Sequence, residues 1–106
     1  MNKEFGDNFL KELELLVESK SQEHETVSYT SKLVNGGLNK VAQKVGEEAT
    51  EVVVAALAED KAALVSESCD LIYHWLCLLK AKNVSLEDIK VEMSARNHSD
   101  LDKILP

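Results

Sequence analysis

Phe9, Leu13, Leu16 and Val17 stand at i, i+4, i+7 and i+8, the spacing that gathers apolar side chains on one face of a helix. The pattern predicts a helix over residues 8–19, followed by a polar connection over 20–25. Ser28-Tyr29-Thr30-Ser31 then supplies several N-cap candidates for a short helical piece, which Gly36-Gly37 interrupts. Leu38, Val41, Ala42, Val45, Ala49, Val52, Val53 and Ala56 predict a second long helix over 38–58 with one broad apolar face. Asp60 is placed to cap a third, reaching residue 80. Its second half is apolar nearly all round (Leu71, Ile72, Trp75, Leu76, Leu78, Leu79), and a helix of that kind is buried on most sides. Ser85-Leu86-Glu87-Asp88 has the form of a capping box opening a fourth helix to about residue 96. In the polar stretch 97–106, Leu101, Ile104 and Leu105 are candidates to dock on the rest. There is no internal repeat and no low-complexity tract.

One Pro and four Gly in 106 residues favour long helices over a many-turned β architecture. The expected fold is therefore all-α, a helical bundle of four to five helices forming a single domain over 1–106. Apolar residues make up 44 % of the chain, enough to fold. A core in so short a chain is modest, and a partner subunit would extend it. The balance of 19 acidic to 12 basic residues gives a net charge of −7, which speaks against a nucleic-acid partner. Cys69 and Cys77 lie eight residues apart in one predicted helix, about 12 Å, too far for a disulfide. They read as reduced core residues of a cytoplasmic protein. The opening MNKEFGDNF has no apolar signal core. The longest apolar-rich run, 69–79, is short for a membrane and carries Asp70 and His74, so no membrane partner is expected.

The candidate chemistry lies in the carboxylates. With Lys44 as zero on a helical wheel, Glu48 falls near roughly +40°, Glu51 near roughly −20° and Glu47 near roughly −60°. Lys44 thus sits within an acidic stripe. Glu67 and Asp70 share a face of the next helix, and His74 continues it. Folding the two helices into a hairpin about Glu59 puts Glu48 and Asp70 each eleven residues from the turn, and Glu51 and Glu67 each eight. Four carboxylates would then form two facing rungs. Each like-charge pair at about 4 Å costs roughly 1 kcal/mol in water and roughly 4 kcal/mol at an effective dielectric near 20, so the cluster calls for a cation. Oxygen ligands without a ligating Cys point to Mg²⁺ or Mn²⁺ rather than zinc. A GluGluxxGlu stripe alone is usually a solvated helix face; the matched GluxxAsp on the next helix is what raises it to a candidate site. His74, Tyr73 and Trp75 read as hydrogen-bonded or packed core residues.

Ser28-Tyr29-Thr30, Lys44-Val45-Gly46-Glu47-Glu48-Ala49-Thr50-Glu51 and Glu67-Ser68-Cys69-Asp70-Leu71-Ile72-Tyr73-His74 together resemble the signatures of the phosphoribosyl-ATP pyrophosphatase family. The likeness covers about residues 5–96. The GluGluxxGlu…GluxxAsp pattern by itself is similar to the wider all-α nucleoside triphosphate pyrophosphatase superfamily, which includes MazG-like and dimeric dUTPase-like enzymes. The resemblance implies hydrolysis of a small nucleotide, phosphoribosyl-ATP, to phosphoribosyl-AMP and pyrophosphate in histidine biosynthesis. It implies Mg²⁺, with Mn²⁺ as a possible substitute, held by Glu48, Glu51, Glu67 and Asp70. It implies catalytic roles for Lys44, toward phosphate, and for Glu47, which would either support the metal ligands from behind or help to orient or deprotonate the attacking water, with Lys32 and Lys40 as weaker phosphate contacts. It also implies a homodimer. After Arg96 the chain continues Asn97-His98-Ser99-Asp100, where the family often carries a Gly-containing segment and a Glu-Lys pair. No phosphoribosyl-AMP cyclohydrolase domain is attached, so a stand-alone enzyme is expected. The competing enzyme is a house-cleaning (deoxy)nucleoside triphosphate pyrophosphatase. A di-iron bundle normally uses Glu-x-x-His on two helices, which this chain lacks. The non-enzymatic alternative is a helical dimerisation module.

Overall fold

The structure, a computed structural model, describes residues 4–96. The docking expected of Leu101, Ile104 and Leu105 lies outside the described residues. Five helices follow one another: α1 (Phe9–Ser21), α2 (Tyr29–Gly36), α3 (Leu38–Ala58), α4 (Lys61–Ala81) and α5 (Leu86–Ala95). No strand is present among the described residues.

The boundaries follow from local chemistry. Ser28 opens α2, its Oγ accepting the Ser31 N–H at 3.1 Å. Gly37 stands between α2 and α3, where a Cβ would come within 3.1 Å of the Leu33 backbone. Asp60 caps α4 through the Ala63 N–H at 2.9 Å. Ser85 and Asp88 complete a reciprocal capping box at α5. The end of α4 is a Schellman turn. Asn83 takes a left-handed φ of 56°, its N–H reaches the Lys80 carbonyl, and the Val84 N–H reaches that of Leu79.

Two helices of 21 residues, α3 and α4, joined only by Glu59 and Asp60, pack as an antiparallel hairpin. At 1.5 Å per residue each is about 30 Å long. The buried positions of α3 are Val41, Glu48 and Ala55, seven apart, with Val45 and Val52 half-buried between them. That is a seam of the coiled-coil kind, and a glutamate occupies its middle. The broad apolar face expected of α3 is only partly used. Leu38, Ala42, Ala49, Val53 and Ala56 are exposed in the single chain, because α4 covers a narrower strip than the wheel suggested. In the second half of α4 every residue from Leu71 to Ala81 is buried or half-buried.

Across this hairpin lies the core of Val17, Leu33, Val41, Leu76 and Cys77, flanked by Leu13, Ile72, Trp75 and Leu79. Helix α2 is pinned to the end of α1 by polar contacts. Ser31 Oγ donates to the Glu23 carbonyl at 2.6 Å, and Asn35 Nδ2 donates to the Ser21 carbonyl at 2.8 Å. Helix α1 also reaches α5. Glu14 Oε2 accepts the Leu86 N–H at 2.7 Å, satisfying a free donor of the first turn. Cys77 is fully buried and its thiol is pushed up to about 11 by burial. Cys69, expected in the core, is exposed. Both are free thiols. Helix α4 has the length and apolarity of a membrane span, with a mean hydropathy of 1.2, extending beyond the 69–79 run. Yet Glu67 and His74 on it turn to partners on α3.

Candidate active site

Two places on the hairpin bring α3 carboxylates against α4. Nearer the turn, Glu51 and Glu67 meet, carboxylate to carboxylate. The contact with Glu51 holds the Glu67 carboxyl above the usual carboxylate range, and burial and the charges of Glu51, Asp70 and Glu59 push it the same way. Glu67 Oε2 is buried and has no hydrogen-bond partner. Buried polar atoms are seldom left without one.

One turn further from the connection, Glu48 is 8 % exposed, and its Oε1 lies 2.7 Å from His74 Nδ1. The same Nδ1 lies 3.1 Å from the backbone carbonyl of Asp70. Counting residues from the turn placed Asp70, not His74, opposite Glu48. The difference has a geometric cause. Side chains on a helix lean toward its N-terminus. In an antiparallel hairpin Glu48 therefore leans away from the turn, and His74 leans back toward it. Asp70 supplies its carbonyl to this rung, while its exposed side chain adds charge beside Glu67.

His74 is 8 % exposed, as a hydrogen-bonded core histidine should be. On its far side Nε2 lies 3.1 Å from the Tyr29 hydroxyl of α2. Tyr29 and Tyr73 both stand edge-on to the imidazole, with centroids 5.9 Å and 5.0 Å away. Tyr73 in turn hydrogen-bonds Thr30, and burial keeps its phenol protonated beyond the ordinary range. Tyr29 is the site residue that helical spacing missed. It lies 45 residues from His74, and only the Ser28-Tyr29-Thr30 block hinted at it. A cleft of about 390 Å³ opens beside this chain of contacts, lined by Leu13, Leu16, Val27, Tyr29, Thr30 and Tyr73 among others.

The remaining candidates are dispersed. Glu47 is exposed and accepts a hydrogen bond from Gln43 Nε2 at 3.0 Å. Lys44 is half-buried, Lys32 and Lys40 are exposed, and none of the three forms an ion pair among the described residues. As placed, no three His, Cys, Asp or Glu side chains among the described residues converge as an ion cage. The acidic contact at Glu51 and Glu67 nevertheless fits a hard cation. It offers oxygen donors only, two like charges in contact and one orphaned oxygen.

A family profile described as Phosphoribosyl-ATP pyrophosphohydrolase matches residues 10–97. The Phosphoribosyl-ATP pyrophosphatase of Azorhizobium caulinodans is 45 % identical over 87 residues, covering 82 % of this chain and 80 % of that protein. That of Pyrobaculum calidifontis is 47 % identical over 87 residues, covering 82 % and 93 %. The Histidine biosynthesis bifunctional protein HisIE of Bacteroides thetaiotaomicron is 42 % identical over 91 residues, 86 % of this chain but 45 % of the longer protein.

Proposed function

The chain belongs to the phosphoribosyl-ATP pyrophosphohydrolase family, and on that premise we propose how its residues serve the reaction. The protein is a phosphoribosyl-ATP diphosphatase of histidine biosynthesis. It cleaves a phosphoanhydride bond, leaving phosphoribosyl-AMP and pyrophosphate. The match over residues 10–97 carries the substrate assignment. The orphaned oxygen of Glu67 against Glu51 supports the metal assignment.

Glu48, Glu51, Glu67 and Asp70 would hold Mg²⁺, with Mn²⁺ as a substitute. When bound, the cation supplies positive charge against the phosphate oxygens and Lewis-acid chemistry at the bond being broken. The protein's own groups do the rest. Glu47, exposed and steadied by Gln43, orients the attacking water and takes its proton. Lys44, one turn before Glu48, contacts phosphate oxygen; Lys32 and Lys40 are weaker contacts. The cleft beside Tyr29 has the size and the apolar, hydroxyl-edged lining that suits a base and its sugar.

The active form is a cytoplasmic homodimer in this reading. Val53, Val54 and Leu57 at the end of α3 and Val65 on α4 are 55, 50, 83 and 53 % exposed, an apolar surface that a second copy would cover. Sedimentation should find a dimer, and a stable, active monomer would remove that part of the reading. The substrate is tested by pyrophosphate release with Mg²⁺ from phosphoribosyl-ATP, dUTP, dCTP and ATP. Phosphoribosyl-ATP should be strongly preferred; equal or faster turnover of dUTP or dCTP would favour the house-cleaning chemistry.

A further inference from the structure

Nδ1 of His74 has two neighbours within hydrogen-bond distance, the Glu48 carboxylate at 2.7 Å and the Asp70 carbonyl at 3.1 Å. Both can only accept, so Nδ1 carries a proton whatever the charge of the ring. The other nitrogen meets a hydroxyl, that of Tyr29 at 3.1 Å, which can match either state. The imidazole is thereby held at both ends, and its rotation is limited by two edge-on tyrosine rings. A buried carboxylate needs such a partner, and Glu48 has one on a single oxygen. Oε2 is left to take a different partner.

We propose that His74 is a positioning residue for the reaction. Its Nδ1–H fixes Glu48 so that only Oε2 is offered to the divalent cation, and Tyr29 sets the plane of the ring. The proposal rests on the reading of Glu48 as a metal ligand. It adds a control that runs from α2, through α4, to α3. Metal sites commonly depend on hydrogen bonds of this kind to hold a carboxylate in its binding orientation.

The test uses Mn²⁺ alone, titrated into the full chain and followed by the electron paramagnetic resonance of the free ion. Far-UV circular dichroism on each variant checks folding. Asn at position 74 puts an amide N–H near the place of Nδ1, while Gln puts one near Nε2, beyond reach of Glu48. His74→Gln and His74→Leu should weaken Mn²⁺ binding about 10- to 100-fold, the usual cost of losing such a partner. His74→Asn should recover most of the affinity, and Tyr29→Phe should cost only a few-fold. Equal affinity in wild type, His74→Leu and His74→Gln, with Glu67→Gln weakened, would overturn the role of His74 and leave the metal site standing. Equal losses in His74→Asn and His74→Gln would also overturn it, by showing that the imidazole's packing rather than its N–H matters. If wild type and Glu67→Gln bind Mn²⁺ equally poorly, the metal reading itself falls, and this proposal with it.

Discussion

Glu48 and Glu51 are one helical turn apart on α3, and the fold treats them in opposite ways. Glu48 is buried and answered by a histidine at 2.7 Å. Glu51 is exposed and set against another carboxylate, one oxygen of which has no partner. The protein itself supplies a hydrogen-bond donor to the carboxylate it buries. It leaves the contact between Glu51 and Glu67 without such a partner, as expected of the cation site proposed above. Removing a carboxylate should therefore have opposite effects on stability at the two places, although both belong to one proposed site.

The sharpest break comes from Glu67→Gln. Activity should fall by about a thousandfold, given what a divalent cation contributes to phosphoryl transfer. The metal-free protein should melt at a higher temperature than wild type, and its gain on adding Mg²⁺ should shrink. Pyrophosphate assays and melts with and without Mg²⁺ would show this; unchanged activity would remove Glu67 from the site. Asp70→Asn should cost activity about 100-fold through loss of one ligand charge. It should raise metal-free stability less than Glu67→Gln does, because the Asp70 side chain is exposed and acts on Glu67 only through its charge. A larger rise than in Glu67→Gln would place the main repulsion at Asp70 instead.

Glu48→Ala should do the reverse to stability. It removes a charge-assisted hydrogen bond and leaves the Nδ1–H of a buried histidine only the Asp70 carbonyl, and should lower metal-free stability by about 1.5–3 kcal/mol in denaturant titration. A stabilised Glu48→Ala would mean that the two places are alike after all. The smallest effect is in pH. The Glu67 carboxyl titrates above its ordinary value, so its contribution to metal-free stability is complete below that value and is lost as pH rises through its folded titration. Glu14 behaves oppositely. Burial raises its carboxyl, but the Leu86 N–H and Lys11 outweigh burial and hold it low. Its contribution is present above the ordinary value and lost as pH falls through its folded titration. Melting temperature against pH, with Glu67→Gln and Glu14→Gln beside wild type, should flatten on the rising side for the first and on the acid side for the second.

Much of this was legible in the sequence, for local reasons. The bounds of α3, the Asp60 cap and the Ser85 capping box depend on residues within a few positions of each other. The spacing of carboxylates about a two-residue connection was enough to bring Glu51 to Glu67. It failed at Glu48, because counting along two axes ignores the lean of side chains. The partner of Glu48 is thus one turn further on α4 than expected. The wheel put Glu48 on an acidic stripe around Lys44, and Val41 and Ala55, seven residues to either side, carry it into the seam. Nothing local announced Tyr29 as the other neighbour of His74.

The two-residue connection between α3 and α4 also bears on the order in which the molecule assembles. Pairings that close short stretches of chain form sooner than those that must bring distant segments together. Glu51 and Glu67 are sixteen residues apart in sequence, and Glu48 and His74 twenty-six, all inside one hairpin. The bond from Glu14 to Leu86 spans seventy-two. The hairpin should thus nucleate folding, with the carboxylates of α3 and α4 in register before α1 docks on it. In pulse-labelled amide exchange during refolding, protection should arise first in the middle of α3 and α4. The Leu86 amide should follow with the docking of α1.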